Sequence, residues 1–134
     1  MSTAPRWLTR LMVDTIHAEL LHEHGGSPGV RDEDLIESAL ARPVHRHHYE
    51  PTRDPAELAA AYLFGLVKNH GYVDGNKRVG FAAAAVFLLL NGWVLTASEM
   101  EAYDVVMGVA AGTFSEADLV VWFRQHAEPA GSQE

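Results

Sequence analysis

The chain has 134 residues, 48% of them hydrophobic and 21% charged, enough for one domain with a real core and too apolar for a disordered chain. Its formal charge of −8 argues against broad nucleic-acid binding, which needs a basic face to displace counterions. With no cysteine, disulfides and thiol catalysis are excluded.

Residues 1–8 read as a loosely held arm, although Trp7 and Leu8 offer apolar side chains to the body. Residues 1–10 lack an apolar core of signal-peptide length, and no apolar run approaches the ~20 residues a membrane span needs. A cytoplasmic protein without membrane contact is the expectation. Thr9 offers an N-cap, and Leu11, Met12, Thr15, Ile16, Ala18, Leu20 and Leu21 recur at helical spacing until Gly25-Gly26 stops the helix. His17, His22 and His24 lie on or near it and lack the spacing of a zinc site, so we read them as surface or core residues.

Asp32 or Asp34 caps a short second helix through Leu35, Ile36, Ala39 and Leu40, which Pro43 should stop. The stretch from Val44 to Asp54 then reads as a polar, irregular flap. Its His45, His47 and His48 tempt one towards a metal, but neighbouring loop side chains rarely converge on one ion, and a solvated or partner-contacting flap is preferred. Asp54-Pro55 opens a mostly buried third helix, which delivers His70 at its end.

Next comes His70-Gly71-Tyr72-Val73-Asp74-Gly75-Asn76-Lys77-Arg78, a polar loop running into an apolar fourth helix. A helix N-terminus carries partial positive charge and unpaired N–H groups, so cations in its first turn are unfavourable by ~0.3–1 kcal/mol each. Lys77 and Arg78 sit there. The conflict disappears if a phosphate binds, because the N–H groups, the dipole and both cations then face one anion.

Residues 79–90 are apolar all round, with Gly80 and Ala82 to Ala85 permitting close packing, and read as the central helix. Asn91-Gly92 ends it. Trp93, Val94 and Leu95 form a short extended connection. A capping box beginning at Thr96 or Ser98 opens a fifth helix carrying Met100, Tyr103, Val106 and Met107, and Ser115 caps a sixth through Leu119, Trp122 and Phe123. The polar tail, 128–134, reads as disordered. We find no convincing strand pair, repeat or linker. The expected fold class is all-α: a single domain over residues 1–134, about six helices around a buried central helix.

The loop resembles the motif of the Fic/Doc superfamily, and its Lys77 form resembles the death-on-curing (Doc) toxin branch. The resemblance extends through Ile16-His17-Ala18-Glu19-Leu20, His24-Gly25-Gly26, Glu37-Ser38-Ala39-Leu40-Ala41-Arg42-Pro43 and Phe87 to Gly92, roughly residues 8–126. It implies the helical Fic fold and an enzyme. His70 would be the general base that takes a proton from a substrate hydroxyl, a task suited to imidazole. Asp74 would hold Mg²⁺ as a hard oxygen donor, with an N-cap as its structural role. Gly75 and Asn76 would complete a nest for phosphate, and Lys77 and Arg78 would neutralise charge on the transferred group.

Departures from the pattern bear on the reaction. AMP-transferring Fic enzymes have glycine where this chain has Lys77 and a second arginine where it has Phe81; in the Doc branch the nucleotide binds in the reversed sense. The resemblance therefore implies phosphotransfer from Mg-ATP to a Ser or Thr hydroxyl, with translation elongation factor Tu as substrate and translation arrest as result. AMP or other nucleotidyl transfer is one alternative, and a catalytically idle partner-binding module another. Gly71 and Tyr72 also depart from common motif residues, at positions that shape the loop. A self-inhibitory Ser/Thr-x-x-x-Glu-Gly/Asn helix is missing: Thr15-Ile16-His17-Ala18-Glu19-Leu20 lacks the last residue. Control by a Phd-type antitoxin is the implied regulation, through a segment that is disordered when free.

Overall fold

In the computed structural model, which describes residues 4–52 and 54–132, every α-helix but one begins at a side chain that accepts a hydrogen bond from its first turn. Thr9 caps α1 (Arg10–His24), its hydroxyl accepting from the Met12 N–H at 3.1 Å. Asp32 caps α2 (Glu33–Tyr49), and Asp54, followed by Pro55 at the first position, caps α3 (Pro55–Asn69). Reciprocal capping boxes, Ser98 with Glu101 and Ser115 with Asp118, open α5 (Glu99–Ala111) and α6 (Glu116–His126). The exception is α4 (Asn76–Leu90), whose cap is Gly75 in the left-handed conformation, with no side-chain acceptor.

The six helices make the domain all-α in class, as expected. The helix at its centre is α3 rather than α4. Nearly every residue from Ala56 to Val67 is buried on α3, which packs on α2, α4, α5 and α6. On α4, Val79, Ala83, Ala84, Phe87 and Leu88 are buried, yet Leu89 is exposed and Phe81, Ala82 and Val86 are only half-buried. Phe81 and Ala82 border an open cavity. Gly80 lets the two helices meet closely, since a Cβ there would lie 2.7 Å from Val67 Cγ2.

Three further expectations require correction. First, α2 does not stop at Pro43 but continues to Tyr49, so the expected flap is mostly helix. An interior proline loses a helical hydrogen bond and costs ~3 kcal/mol, but the Pro43 ring is buried, and beyond it the helix is pinned by Arg46–Glu57, with Arg42–Glu116 just before. His47 packs edge-on against Trp7 at 5.7 Å and accepts from the Thr52 N–H, while His45 and His48 are exposed; Arg53 lies outside the described residues.

Second, the expected arm is docked from Arg6 to Leu8. Trp7 stacks on Phe87 at 6.1 Å, the buried Leu8 donates its N–H to the Tyr62 hydroxyl, and Arg6 exchanges backbone bonds with the Asn91 side chain. Burying Trp7 and Leu8 removes apolar surface from water, which the polar neighbours had masked in the sequence. Residues 1–3 lie outside the described residues.

Third, a strand pair exists: β1 (Trp93–Leu95) runs antiparallel to β2 (Ala127–Pro129), with Val94 opposite Glu128, and a 3₁₀ turn (Ala130–Ser132) follows. The start of the expected tail is therefore ordered, because Trp93 to Leu95 leave unpaired backbone groups that β2 satisfies. Residues 133 and 134 lie outside the described residues. Among the described residues, no helix is long and apolar enough to cross a membrane.

Candidate active site

The site starts from the end of α3. His70 follows its last residue with φ 52° and ψ 50°, the one positive φ of a non-glycine residue among the described residues. That left-handed geometry costs a side-chain-bearing residue ~1–2 kcal/mol. Neighbouring contacts offset it. Arg31 donates from Nε to the His70 carbonyl at 2.7 Å and from Nη2 to the Asn69 carbonyl at 3.0 Å, while Asn69 Nδ2 donates to the Leu35 carbonyl.

From there the loop joining α1 to α2 lies antiparallel along residues 69–74. The Gly71 carbonyl accepts from the backbone N–H of Arg31 and Asp32, Val30 pairs with Tyr72, Val73 donates to Gly29, and Ser27 donates its N–H to Asp74 Oδ2 at 3.1 Å. Gly71 permits this close packing, because a Cβ there would fall 2.4 Å from Ile36 Cγ1 and force a shift.

Beneath the loop, Tyr72 is buried and stacks on His17 at 3.8 Å. Its hydroxyl donates to Asp14 Oδ1 at 2.6 Å, and Arg10 binds Asp14, Glu33 and Glu37. Burial raises the Tyr72 pKa, and its acceptor Asp14 raises it further. Burial pushes Asp14 upward as well, but the Tyr72 hydroxyl and Arg10 more than offset this and hold the carboxyl below its ordinary value. His17 is a core residue, and its Nε2 donates to the Asp74 carbonyl at 2.8 Å.

Asp74 itself is exposed. The Ser27 and Gly75 N–H groups, each bonded to one carboxylate oxygen, lower its pKa. Its suggested N-cap role is not what the structure has, since Gly75 occupies that position. Asn76 also departs from expectation at the side chain: 3% exposed, its amide accepts from the Tyr72 N–H and donates to the Tyr72 carbonyl, both at 2.9 Å. What Asn76 retains for an anion is its backbone N–H at the start of α4.

His70, Asp74, Gly75, Asn76, Lys77 and Arg78 all line one cavity of about 560 Å³. Lys77 and Arg78 are exposed, and among the described residues neither has a carboxylate within ion-pair distance. One end of the cavity is thus a helix N-terminus without a side-chain cap, flanked by two cations, a receptor for an anion. The remaining wall is largely apolar: Phe81 and Ala82 from α4 and Ala102, Tyr103, Val106 and Met107 from α5, together with Leu20, His24 and Glu99.

A model of the Fic/DOC family matches residues 7–88. The chain belongs to the Fic/DOC family. It is also 45% identical over 75 residues to the toxin Doc of Mycolicibacterium smegmatis, a match covering 54% of this chain and 57% of that protein. The Fic/DOC match takes in the α1–α2 loop and the whole of 70–78, whereas α5, which builds the apolar wall, lies beyond residue 88.

Sequence reasoning found the cavity's polar end because motif residues are consecutive. It missed Ser27, Arg31, the Asp14–Tyr72–His17 support and the Tyr103–Met107 wall. Gly25-Gly26 read as a helix stop and as part of the resemblance, with no sign that Ser27 bonds Asp74, and Arg31 beside a capping Asp32 gave no local sign of a target some forty positions away.

Proposed function

We propose that this chain transfers the γ-phosphoryl group of ATP, with Mg²⁺, to a Ser or Thr hydroxyl of a protein target, translation elongation factor Tu, and so arrests translation in the cytoplasm. It would act as the toxin of a toxin-antitoxin pair. The observation that carries this reading is Lys77 beside Arg78 in the uncapped first turn of α4, with Phe81, not arginine, one turn on. Membership of the Fic/DOC family and likeness to a protein named toxin Doc support it.

Asp74 fits a magnesium ligand. Its carboxylate is exposed, is held below its ordinary pKa by the Ser27 and Gly75 N–H groups, and keeps lone pairs that they do not use. One hard oxygen suits an ion that keeps several waters and takes other ligands from phosphate. When bound, Mg²⁺ supplies charge neutralisation across the phosphate oxygens.

The protein's own residues account for the remaining chemistry. His70 accepts the hydroxyl proton as that oxygen attacks the γ-phosphorus; the bond to the bridging oxygen breaks and ADP leaves. The α4 N–H groups, Lys77 and Arg78 hold the phosphates, and the wall of Phe81, Tyr103 and Met107 covers the nucleoside. The same exposed apolar wall and basic rim would receive a segment of a Phd-type antitoxin.

Incubation with Mg²⁺, elongation factor Tu and ATP labelled at the α or the γ phosphate tests the reaction. Label should arrive from the γ position only, and His70→Ala should abolish transfer without lowering the unfolding temperature. Transfer from the α position alone would replace this reading by nucleotidyl transfer. No transfer, with His70→Ala as toxic on expression as the wild type, would favour a partner-binding module.

A further inference from the structure

We infer that Arg31 is a positioning residue for His70, a role that rests on the reading of His70 as the base. The two backbone torsions of His70 are set by the peptide plane on either side of its Cα. One plane carries the Asn69 carbonyl and the other the His70 carbonyl. A single guanidinium holds both, at 3.0 Å from Nη2 and 2.7 Å from Nε. Its rigid, planar fork suits two adjacent acceptors, and its charge complements the carbonyl end of α3.

Gripping both planes fixes φ and ψ, and with them the direction in which the imidazole leaves the backbone towards the cavity. This matters here because His70 holds a left-handed conformation that a side chain rarely adopts unaided.

The clamp is separable from the fold. Without the Arg31 side chain, the Arg31 and Asp32 N–H groups still bond the Gly71 carbonyl, Val73 still bonds Gly29, and Asn69 Nδ2 still bonds Leu35. The loop stays attached on both sides of His70, and only the two planes at His70 are released. Arg31 is exposed and contributes little to the core, so its removal loosens the direction of one side chain.

The test compares full-length wild type, Arg31→Ala and Arg31→Lys, each labelled with ¹⁵N-histidine. The His70 ring signal is identified as the one missing from His70→Gln. In Arg31→Ala that signal should shift and broaden while the other histidine signals and the unfolding temperature stay close to wild type. Lysine, whose ammonium cannot present two fixed parallel donors, should give an intermediate spectrum. In the transfer assay, kcat should fall roughly 10- to 100-fold with KM for ATP within about twofold, since misplacing a reacting group by ~1 Å costs up to ~100-fold. Superimposable His70 signals in wild type and Arg31→Ala would overturn the inference, as would an equal kcat. If the wild type transfers no label, the proposed reaction falls and the ring spectra alone decide the clamp. If Arg31→Ala does not fold, Arg31→Lys decides it by the same comparison.

Discussion

Tyr72 and Asn76 divide the work of holding the loop between a ring and an amide. Asn76→Ala would leave the buried Tyr72 N–H and carbonyl without partners, at a cost of about 2 kcal/mol or more, read as a lower denaturation midpoint. Lys77→Ala should leave that midpoint unchanged and weaken the proposed phosphoryl transfer, because the lysine is exposed and lines the cavity. The pair thus separates a residue that shapes the loop from one that lines the cavity and would, on the proposed reading, meet the phosphate. Sequence reading gave both residues to the phosphate, since adjacency within a motif does not reveal which side chain turns inward. Gly71→Ala should cost ~1–3 kcal/mol by overpacking against Ile36, measured by the same unfolding curve.

Helix starts were legible because a cap and its N–H target lie within three residues of each other, as at Thr9, Asp32, Asp54, Ser98 and Ser115. The Ser115 box is a self-contained example. Ser115→Ala should cost about 1 kcal/mol, in the range ~0.5–2, and lower the thermal midpoint, while Ser115→Asp should retain most of it. Features decided by distant partners were not legible. The continuation of α2 past Pro43 depends on Glu57 and Glu116, and β1 finds β2 only after two intervening helices. A three-residue strand shows no period of its own. The apolar stripe of α5 was visible, but not that Met100 and Tyr103 would remain exposed while Val105, Val106 and Val109 turned to the core.

Across the whole molecule, stability should follow pH with two edges. Burial pushes the Tyr62 phenol up to about 12 and raises Tyr72 as well, so unfolded phenols release protons from about 10 upward before folded ones do. The stability these tyrosines contribute is complete below 10 and is lost as pH rises towards the folded values. Asp14 and Asp74 are held below their ordinary value of 3.8, and Glu57, accepting from Thr52 and Arg46, below 4.5. Their contribution is complete above those ordinary values and is lost as pH falls through the depressed ones. Thermal midpoints should therefore fall as pH drops below about 4 through these carboxylates and again as it rises above about 10 through these phenols. Tyr62→Phe should soften the alkaline edge.

The antiparallel run of residues 27–32 along 69–74 has a consequence for local opening. Its bonds join segments 38 to 47 positions apart, so neither can fray without releasing the other. Amide hydrogens of Ser27, Arg31, Asp32 and Val73 should exchange with deuterium as one cooperative unit. Any opening that exposes them also dismantles the setting of His70 and Asp74, so a partly unfolded chain would carry the complete motif and yet be inert.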